Sequence, residues 1–366
     1  MEQVFSQIHQ LRNAAADIQE KYWDGEVTRW FTFEIVSFAG EVHFYARVYH
    51  KSRPVFEAAF FSFYPDIELV EAEDYVNNLP TSIREIRDKQ YDLWGTEMVL
   101  TKEACYPIKS YVTFESPDEE KQFDPIATFL EVLGKVKEGQ FVGIQILAAP
   151  AGAEWKDEFE KTLEKLKESK TKKEEYKGPE GQLESFARFI ARSPGETDVL
   201  KAIENNLSKS AFETIIRFIY LSPKTLFYDS FARKGVSGAF NQYGALDLNS
   251  FVQNYAMSTR VKIWNWPFVF PRRRNEYRKQ RLLNLYRHRE FTIETFMGKL
   301  ITSSIFNLNF HSKPFLLNTE SLATLFHPPT AIVMTAPHVR RVESRKATPP
   351  AGLPIYGDEK EIEKYQ

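Results

Sequence analysis

The sequence predicts an α+β fold: repeated ββαβ units with antiparallel sheets and helices on one face, a second α+β domain and an extended C-terminal tail. Two observations predict it. The spacing of apolar residues changes to a period of two at Arg29 and returns to helical spacing at Pro54. The same order of elements then recurs before residue 150. With 366 residues, of which 14% are aromatic, the chain is long enough for two or three domains with large cores.

An amphipathic helix is predicted over residues 1–20, because Val4, Ile8 and Leu11 recur at helical spacing. The first ββαβ unit follows this helix, and the turn of its hairpin contains Gly40. The elements of the unit are strands over 30–37 and 41–50, a helix over 54–63 and a strand over 67–72.

A second unit with the same order of elements is predicted between residues 94 and 148. Asp124 and Pro125 open its helix, and apolar residues between Ile126 and Leu133 lie on one helical face. Gly139 closes the segment before the last strand. The elements of the unit are strands over 94–102 and 107–115, a helix from residue 124 and a strand over 141–148.

A charge-rich stretch divides the first predicted domain from the second. Trp155, Phe159 and two leucines form a helical stripe at its beginning. The Lys/Glu run that ends at Gly178 and Pro179 can bury too little apolar surface to order itself, so it is predicted to be a flexible linker. The predicted parts are an N-terminal α+β domain over 1–168, a linker over 169–183, a second α+β domain over 184–341 and a Pro-rich, charged tail over 342–366.

The second domain is predicted to combine strands and helices. Residues 211–221 alternate strongly enough for a strand, and Pro223 begins a predicted helix that runs toward Tyr243. Residues 257–264 are predicted to form a partner strand, and residues 291–306 a further helix.

Composition limits the classes of function. The 48 basic and 50 acidic residues nearly balance, so the overall charge favours neither nucleic acid nor an anionic membrane. The single cysteine, Cys105, excludes an internal disulfide and is predicted to be an inert small residue. No apolar run is long enough to span a bilayer, and the first residues lack the order of a signal peptide, so we expect a cytoplasmic protein.

The sequence contains no motif for catalysis or for a cofactor. Gly134 and Gly139 have the spacing of a P-loop, but the Lys and Ser/Thr that contact phosphate and Mg²⁺ do not follow, and a helix rather than a strand precedes the loop. The seven histidines show no metal-binding spacing, and no GxSxG sequence occurs. We therefore predict a chain that is not an enzyme and holds no cofactor or metal. A site assembled from residues distant in sequence stays open as an alternative.

One segment has a composition typical of anion binding. Residues 272–289 follow an aromatic run, and Arg274, Arg278 and Arg281 share a helical face, so several guanidinium groups could meet phosphates together, as on a surface that binds single strands. An anionic-lipid contact, an acidic partner or a plain solvated helix face would show the same composition. The candidate binding residues are Arg272, Arg273, Arg274, Arg278, Lys279 and Arg281.

Residues 314–329, which we call the signature segment, predict a short helix with a defined beginning and end. Thr319 is the predicted N-cap, and Pro328 and Pro329 end the helix. Apolar residues between Leu322 and Phe326 lie on one side of it.

The signature segment resembles a stretch of membrane-associated, conjugation-type ATPases of uncultured bacteria. In those proteins it precedes a motor domain of the coupling-protein or HerA/FtsK class. Residues 212–223 and 1–9 are similar to the same family. The resemblance covers the chain from its first helix to about Leu353, and it implies that the chain corresponds to the region between the membrane helices and the ATPase of those proteins.

The resemblance implies a non-catalytic accessory or assembly region of a conjugative, type IV secretion-like coupling ATPase, without its motor domain. The implied partners are a P-loop motor ATPase and membrane-associated secretion components, with the chain in a homo-oligomer on the cytoplasmic side, peripheral to the inner face of the membrane. The alternative, from the residues alone, is a stand-alone nucleic-acid-binding protein that uses residues 272–289 to bind single strands.

Overall fold

A seven-stranded antiparallel sheet organises the chain, and this architecture confirms the predicted α+β class. The computed structural model describes residues 1–12, 29–114, 123–167, 171–177, 183–189, 194–261, 269–291 and 311–329. The strands in these ranges are β1 (Phe31–Phe38), β2 (Glu41–Arg47), β3 (Tyr91–Leu100), β4 (Phe141–Pro150), β5 (Thr171–Lys177), β6 (Leu183–Phe189), β7 (Ala211–Pro223), β8 (Phe251–Gln253) and β9 (Phe315–Asn318).

The order of strands across the large sheet is β2-β1-β4-β7-β3-β8, and β9 pairs with the beginning of β7. β5 and β6 form a separate two-stranded sheet. The helices in the described ranges are α1 (Glu2–His9), α2 (Arg53–Phe63), α3 (Ile83–Asp88), α4 (Ile126–Leu133), α5 (Glu160–Lys167), α6 (Pro194–Leu207), α7 (Ser237–Phe240), α8 (Pro271–Arg287) and α9 (Thr319–Leu325).

Helices cover both faces of the large sheet, which corrects the prediction of helices on one face. The core on one face includes α1, α2, α4, α7 and α9, and the core on the other includes α3 and α8. All ten residues of β4 are buried. A central strand that is buried on both faces of the sheet needs covering elements on both faces. Its sequence is therefore a nearly continuous run of apolar residues and not an alternation of apolar and polar ones.

The predicted first hairpin is confirmed. β1 pairs with β2 from Phe38 and Glu41 outward, which leaves Ala39 and Gly40 as a two-residue turn. Both turn residues have positive φ, 51° for Ala39 and 91° for Gly40. Two positive φ angles match the right-handed twist of the flanking strands, and the glycine adopts its angle without steric cost.

Strands from both predicted domains lie in the one large sheet, so the predicted division into two α+β domains is wrong for this sheet. β7 belongs to the second predicted domain but lies between β4 and β3. Phe218 is paired with Ile144 on one side and with Thr96 on the other. The predicted linker contains β5, which pairs with β6. Linker composition is a local property, whereas strand pairing joins residues far apart in sequence.

Two strands of the predicted ββαβ units are not formed. Residues 67–72 and 107–114 lie outside any strand, and β3 pairs with β7 and β8 instead of with 107–115. The N–H of Lys109 donates to the carbonyl of Tyr243 at 2.8 Å, so this stretch bonds to a loop rather than to β3. Alternating apolar residues predict an extended segment but do not choose its partner.

In the second half of the chain, the predicted strand at β7 is confirmed, but the elements predicted after it differ from those observed. The helix predicted from Pro223 begins only at Phe231, with a π-helical turn that continues into α7. Residues 257–261 are not in a strand, contrary to prediction. The predictions that fall outside the described residues are the first helix beyond residue 12, the strand beyond residue 261, the helix over 292–306 and the tail over 342–366.

Candidate functional site

The signature segment forms β9 and α9. β9 pairs with the first four residues of β7, and α9 follows without a gap. The N-cap of α9 is Asn318, whose side-chain oxygen accepts a hydrogen bond from the N–H of Ser321 at 2.7 Å. The predicted cap, Thr319, is therefore wrong by one residue. Asn318 is still extended because it pairs within the sheet, and a cap residue has this non-helical geometry.

α9 is buried along its whole length, including its polar residues. The Lys209 ammonium lies 2.6 Å from the Glu320 carboxylate and 2.8 Å from that of Glu2. Thr324 Oγ1 donates to the carbonyl of Glu320 and accepts from the N–H of Tyr111 at 2.9 Å. The buried polar groups of the helix therefore have partners, and the segment is part of the core rather than an exposed loop.

A histidine–aspartate pair joins the end of the signature segment to the beginning of α4. His327 Nε2 lies 2.8 Å from Asp124 Oδ1, and His327 Nδ1 lies 2.9 Å from the carbonyl of Ala323. Asp124 Oδ1 also accepts from the N–H of Ile126, the first residue of α4, at 3.0 Å.

An open groove of about 800 Å³ lies beside this pair, bordered by the start of α1, the end of α2, the start of α4 and the end of the signature segment. Phe63 and Phe123 remain 43% and 49% exposed, and the ring centroids of Phe114 and Phe123 are 6.2 Å apart. We call it the aromatic groove and define it by Phe63, Tyr64, Tyr111, Phe114, Phe123 and His327.

Tyr111 supplies a neutral phenol in the wall of the aromatic groove. Its hydroxyl donates to Glu2 Oε2 at 3.0 Å. Burial, followed by this bond to Glu2, raises the pKa of Tyr111 to about 12. The hydroxyl therefore keeps its proton at neutral pH and holds the Glu2 carboxylate in place.

The basic segment is largely built into the protein, which corrects the prediction of an exposed arginine face. Arg274 and Arg278 are only 2% and 3% exposed, and Arg278 Nη1 donates to the carbonyl of Ser258 at 3.1 Å. Lys279 pairs with Asp92. The exposure of the six candidate residues is as follows: Arg272 and Arg273 are exposed, Lys279 and Arg281 are half-buried, and Arg274 and Arg278 are buried.

The helical face that carries these arginines continues into the apolar face of α8. Arg274, Arg278 and Leu282 follow one another at intervals of four, and Leu285 continues the same side. This face packs toward the sheet, so the arginines on it are buried together with the leucines. Burial and the neighbouring Arg274 lower the pKa of Arg278 to about 10.

A row of buried polar side chains crosses the sheet beneath α8, and the sequence reasoning missed it. Glu34, Gln145, Arg217 and Glu97 lie opposite one another on β1, β4, β7 and β3. Gln145 Nε2 donates to Glu34 at 2.9 Å, and Arg217 Nη2 donates to Glu97 at 3.2 Å. The available signal was a charged or amide residue within each otherwise largely apolar strand.

The polar row fastens α8 to the sheet. Arg217 Nη1 donates to the carbonyl of Leu285 at 2.6 Å, and Gln145 Nε2 donates to that of Tyr286 at 3.0 Å. Arg289, just after α8, pairs with Glu34 at 2.7 Å and with Asp74 at 2.8 Å, and its pKa is raised by these carboxylates against the effect of burial. Arg287 Nη1 likewise donates to the carbonyl of Val76 at 2.7 Å. Arg287 and Arg289, which follow the candidate set in sequence, are thus both held by contacts within the protein.

The described residues contain no group of three or more His, Cys, Asp or Glu side chains placed to hold a metal ion. The Cys105 thiol is buried, and burial together with the nearby Glu103 carboxylate raises its pKa to about 11. A raised pKa disfavours the thiolate, which agrees with the prediction that this residue is inert. In the described part of the chain, no helix is long and apolar enough to cross a membrane.

The comparison with protein families covers nearly the whole chain. The model of a domain of unknown function, DUF8128, matches residues 2–337. The chain belongs to this family. The match includes both predicted domains and the complete signature segment, in agreement with one sheet that draws strands from both halves. No curated protein and no solved structure matches the chain.

Proposed function

We propose that this member of the DUF8128 family is a non-catalytic assembly region for a coupling ATPase of conjugative, type IV secretion-like DNA transfer. The partner in this proposal is a P-loop motor ATPase, with membrane-associated secretion components nearby. The chain acts as a homo-oligomer on the cytoplasmic side, peripheral to the inner face of the membrane. The resemblance of the signature segment supplies the class of partner, and an exposed face of α2 supplies the surface.

The outer face of α2 carries the proposal. Its inner face buries Phe56 and Phe60 in the core, as expected for a helix of this fold. Its outer face presents Val55 and Phe61, which are 47% and 46% exposed, with Ala58 exposed between them. A helix that is apolar on both sides is normally enclosed, and an exposed apolar patch on a folded protein marks an interaction surface. We call this patch the α2 face.

α1 links the helix that carries the α2 face to the signature segment. α2 packs against α1, and α1 packs against α9. The first helix, which also takes part in the resemblance, therefore connects the exposed apolar surface to the buried signature helix. A partner on the α2 face would be supported by these packed helices rather than by a loop, and rigid elements hold binding surfaces more accurately than loops.

Binding to a purified P-loop coupling ATPase tests the proposal. The double variant Val55→Glu, Phe61→Glu is expected to weaken binding by about tenfold or more, because it places two charges in an apolar contact. Leu246→Glu is the matched control, since Leu246 is fully exposed in a loop before β8. Native affinity in the double variant, or no binding by the native chain, would count against the proposal. Retained binding in the control is required.

One specific observation favours the alternative function, stand-alone nucleic-acid binding. Arg272 and Arg273 are exposed at the start of α8, and the Arg273 guanidinium lies 5.7 Å from the centroid of the Phe270 ring. Two cations and an aromatic ring suit a short contact with a single strand. Binding of single-stranded DNA to the native chain tests this alternative. Binding that is abolished by the double variant Arg272→Glu, Arg273→Glu would favour it over the assembly function.

A further inference from the structure

The aromatic groove has the chemistry of a site for an extended, proline-rich segment. Rings of Phe63, Phe114 and Phe123 and the phenols of Tyr64 and Tyr111 line one open channel. Two of these rings keep almost half of their surface exposed. Polyproline II segments bind grooves of this kind, because their flat proline rings pack between aromatic side chains and the free segment is already extended.

The exposed carboxylate of Asp66 at the aromatic groove favours a basic segment. Glu2, Asp66 and Asp124 contribute acidic side chains to the described lining, and His327 contributes a basic side chain. Glu2 and Asp124 are held by Lys209 and by His327, and Asp66 is exposed to solvent. An arginine or lysine next to the prolines would complement Asp66 at the rim, and such charge complementarity sets the direction and specificity of binding.

The sequence that follows the groove contains a segment of this composition. The last described residue, Pro329, lies in the groove lining. Beyond it, Arg345 and Lys346 precede Pro349, Pro350 and Pro354. The connection from residue 329 to residue 345 can span up to about 50 Å when extended, at roughly 3.3 Å per residue. It is therefore long enough to return the basic, proline-rich segment to any part of the groove.

We propose that the aromatic groove binds residues 345–354 of the same chain in an extended, polyproline-type conformation. The inference rests on the proposed docking function and adds its regulation, because Phe63 ends the same helix that carries the α2 face. With the tail in the groove, access to this end of α2 is restricted, and a partner competes with a tethered ligand. A short tether gives an effective concentration in the millimolar range, so even a weak contact is well occupied.

Peptide binding to the full chain tests this proposal without the ATPase. The probe is a fluorescein-labelled synthetic peptide of residues 343–356, measured by anisotropy. The tail-substituted chain carries Arg345→Ser, Lys346→Ser, Pro349→Ser, Pro350→Ser and Pro354→Ser. We expect the tail-substituted chain to bind the peptide at least about tenfold more tightly than the native chain, since the native tail competes at high effective concentration.

Groove variants identify the place of binding. In the tail-substituted chain, Phe63→Ser with Phe123→Ser is expected to lower peptide affinity by more than about tenfold. Tyr255→Ser is the matched control, because Tyr255 is 81% exposed and does not line the groove. Thermal unfolding checks that the groove variants stay folded, as expected for partly exposed rings. A peptide in which serine replaces its three prolines should not bind.

Three results would overturn the proposal: no peptide binding by the tail-substituted chain, equal affinity for the native and tail-substituted chains, or native peptide affinity in the groove variants. None of these measurements contains the ATPase, so they are separate from the test of the α2 face. Peptide binding without ATPase binding supports the tail site alone. ATPase binding without peptide binding supports the docking function alone.

Discussion

At the scale of single residues, His327 is the side chain of the signature segment with the most specific role. It contacts Asp124 at the head of α4 and the carbonyl of Ala323 in its own helix. The spacing of the histidines gives no metal-binding pattern, and the sequence does not indicate the hydrogen-bond partner of His327. The partner is 203 positions away and reaches it only because α4 and α9 lie on the same face of the sheet.

Replacement of His327 tests this role. His327→Ala removes both ring hydrogen bonds in a mostly buried site, so we expect the free energy of unfolding to fall by about 1–3 kcal/mol. His50→Ala is the control, because His50 is exposed, and its effect should stay within about 0.5 kcal/mol. Urea denaturation of the three chains measures both values. Equal stability of the His327 variant and the native chain would show that the pair contributes nothing.

At the scale of an element, α8 is a basic helix that buries some of its arginines in the protein and exposes others. Its exposed first turn carries Arg272 and Arg273, while Arg274 and Arg278 enter the protein on the side of Leu282. The helix therefore has two kinds of arginine that composition alone does not distinguish. Two of its buried basic groups meet acceptors in the fold, because the carbonyl of Ser258 accepts from Arg278 and the Glu34 carboxylate pairs with Arg289 just beyond the helix.

Replacement of a buried arginine and of an exposed arginine of α8 should have different effects on the stability of the protein. Arg278→Ala removes a buried hydrogen bond to Ser258 and leaves a cavity, so we expect a loss of about 2–4 kcal/mol in the free energy of unfolding. Arg272→Ala, on the same helix and exposed, should change it by less than about 0.5 kcal/mol. Denaturation with urea at one salt concentration measures both. Similar values for the two variants would contradict the division of the helix into a buried and an exposed side.

At the scale of the whole molecule, the shared sheet makes the two halves of the chain interdependent. β7 follows the predicted linker, yet it has β4 on one side and β3 on the other along most of its length. Separation of the halves would expose both edges of this strand and open the core on both faces of the sheet. We therefore expect the two predicted domains to unfold together as one cooperative unit.

Cleavage in the predicted linker tests this interdependence. A specific protease site inserted between residues 177 and 181 allows the chain to be cut after folding. We expect the two fragments to elute together in gel filtration at the position of the uncut chain, because the sheet pairing is intact. The same cut in 6 M urea should give separate fragments. Two separately eluting, folded fragments under native conditions would restore the two-domain organisation.

Local sequence patterns were sufficient to predict the elements that depend on neighbouring residues. The α+β class, the hairpin with its Ala39-Gly40 turn, the helix after Asp124 and the strand beginning at Ala211 all follow from periodicity, caps and turn chemistry. The aromatic content indicated large cores, and the N-cap of the signature helix was predicted within one residue, although the helix ends at Leu325, before the predicted stop at Pro328.

Which strands pair, and which side chains are buried, became clear only from the folded chain. It joined strands from both halves in one sheet, placed helices on both faces and turned Arg274 and Arg278 inward. It also assembled the aromatic groove from five segments spread between residues 1 and 329. The physical reason is that pairing and burial depend on contacts between distant residues, whereas periodicity, capping and composition report only the preferences of each segment.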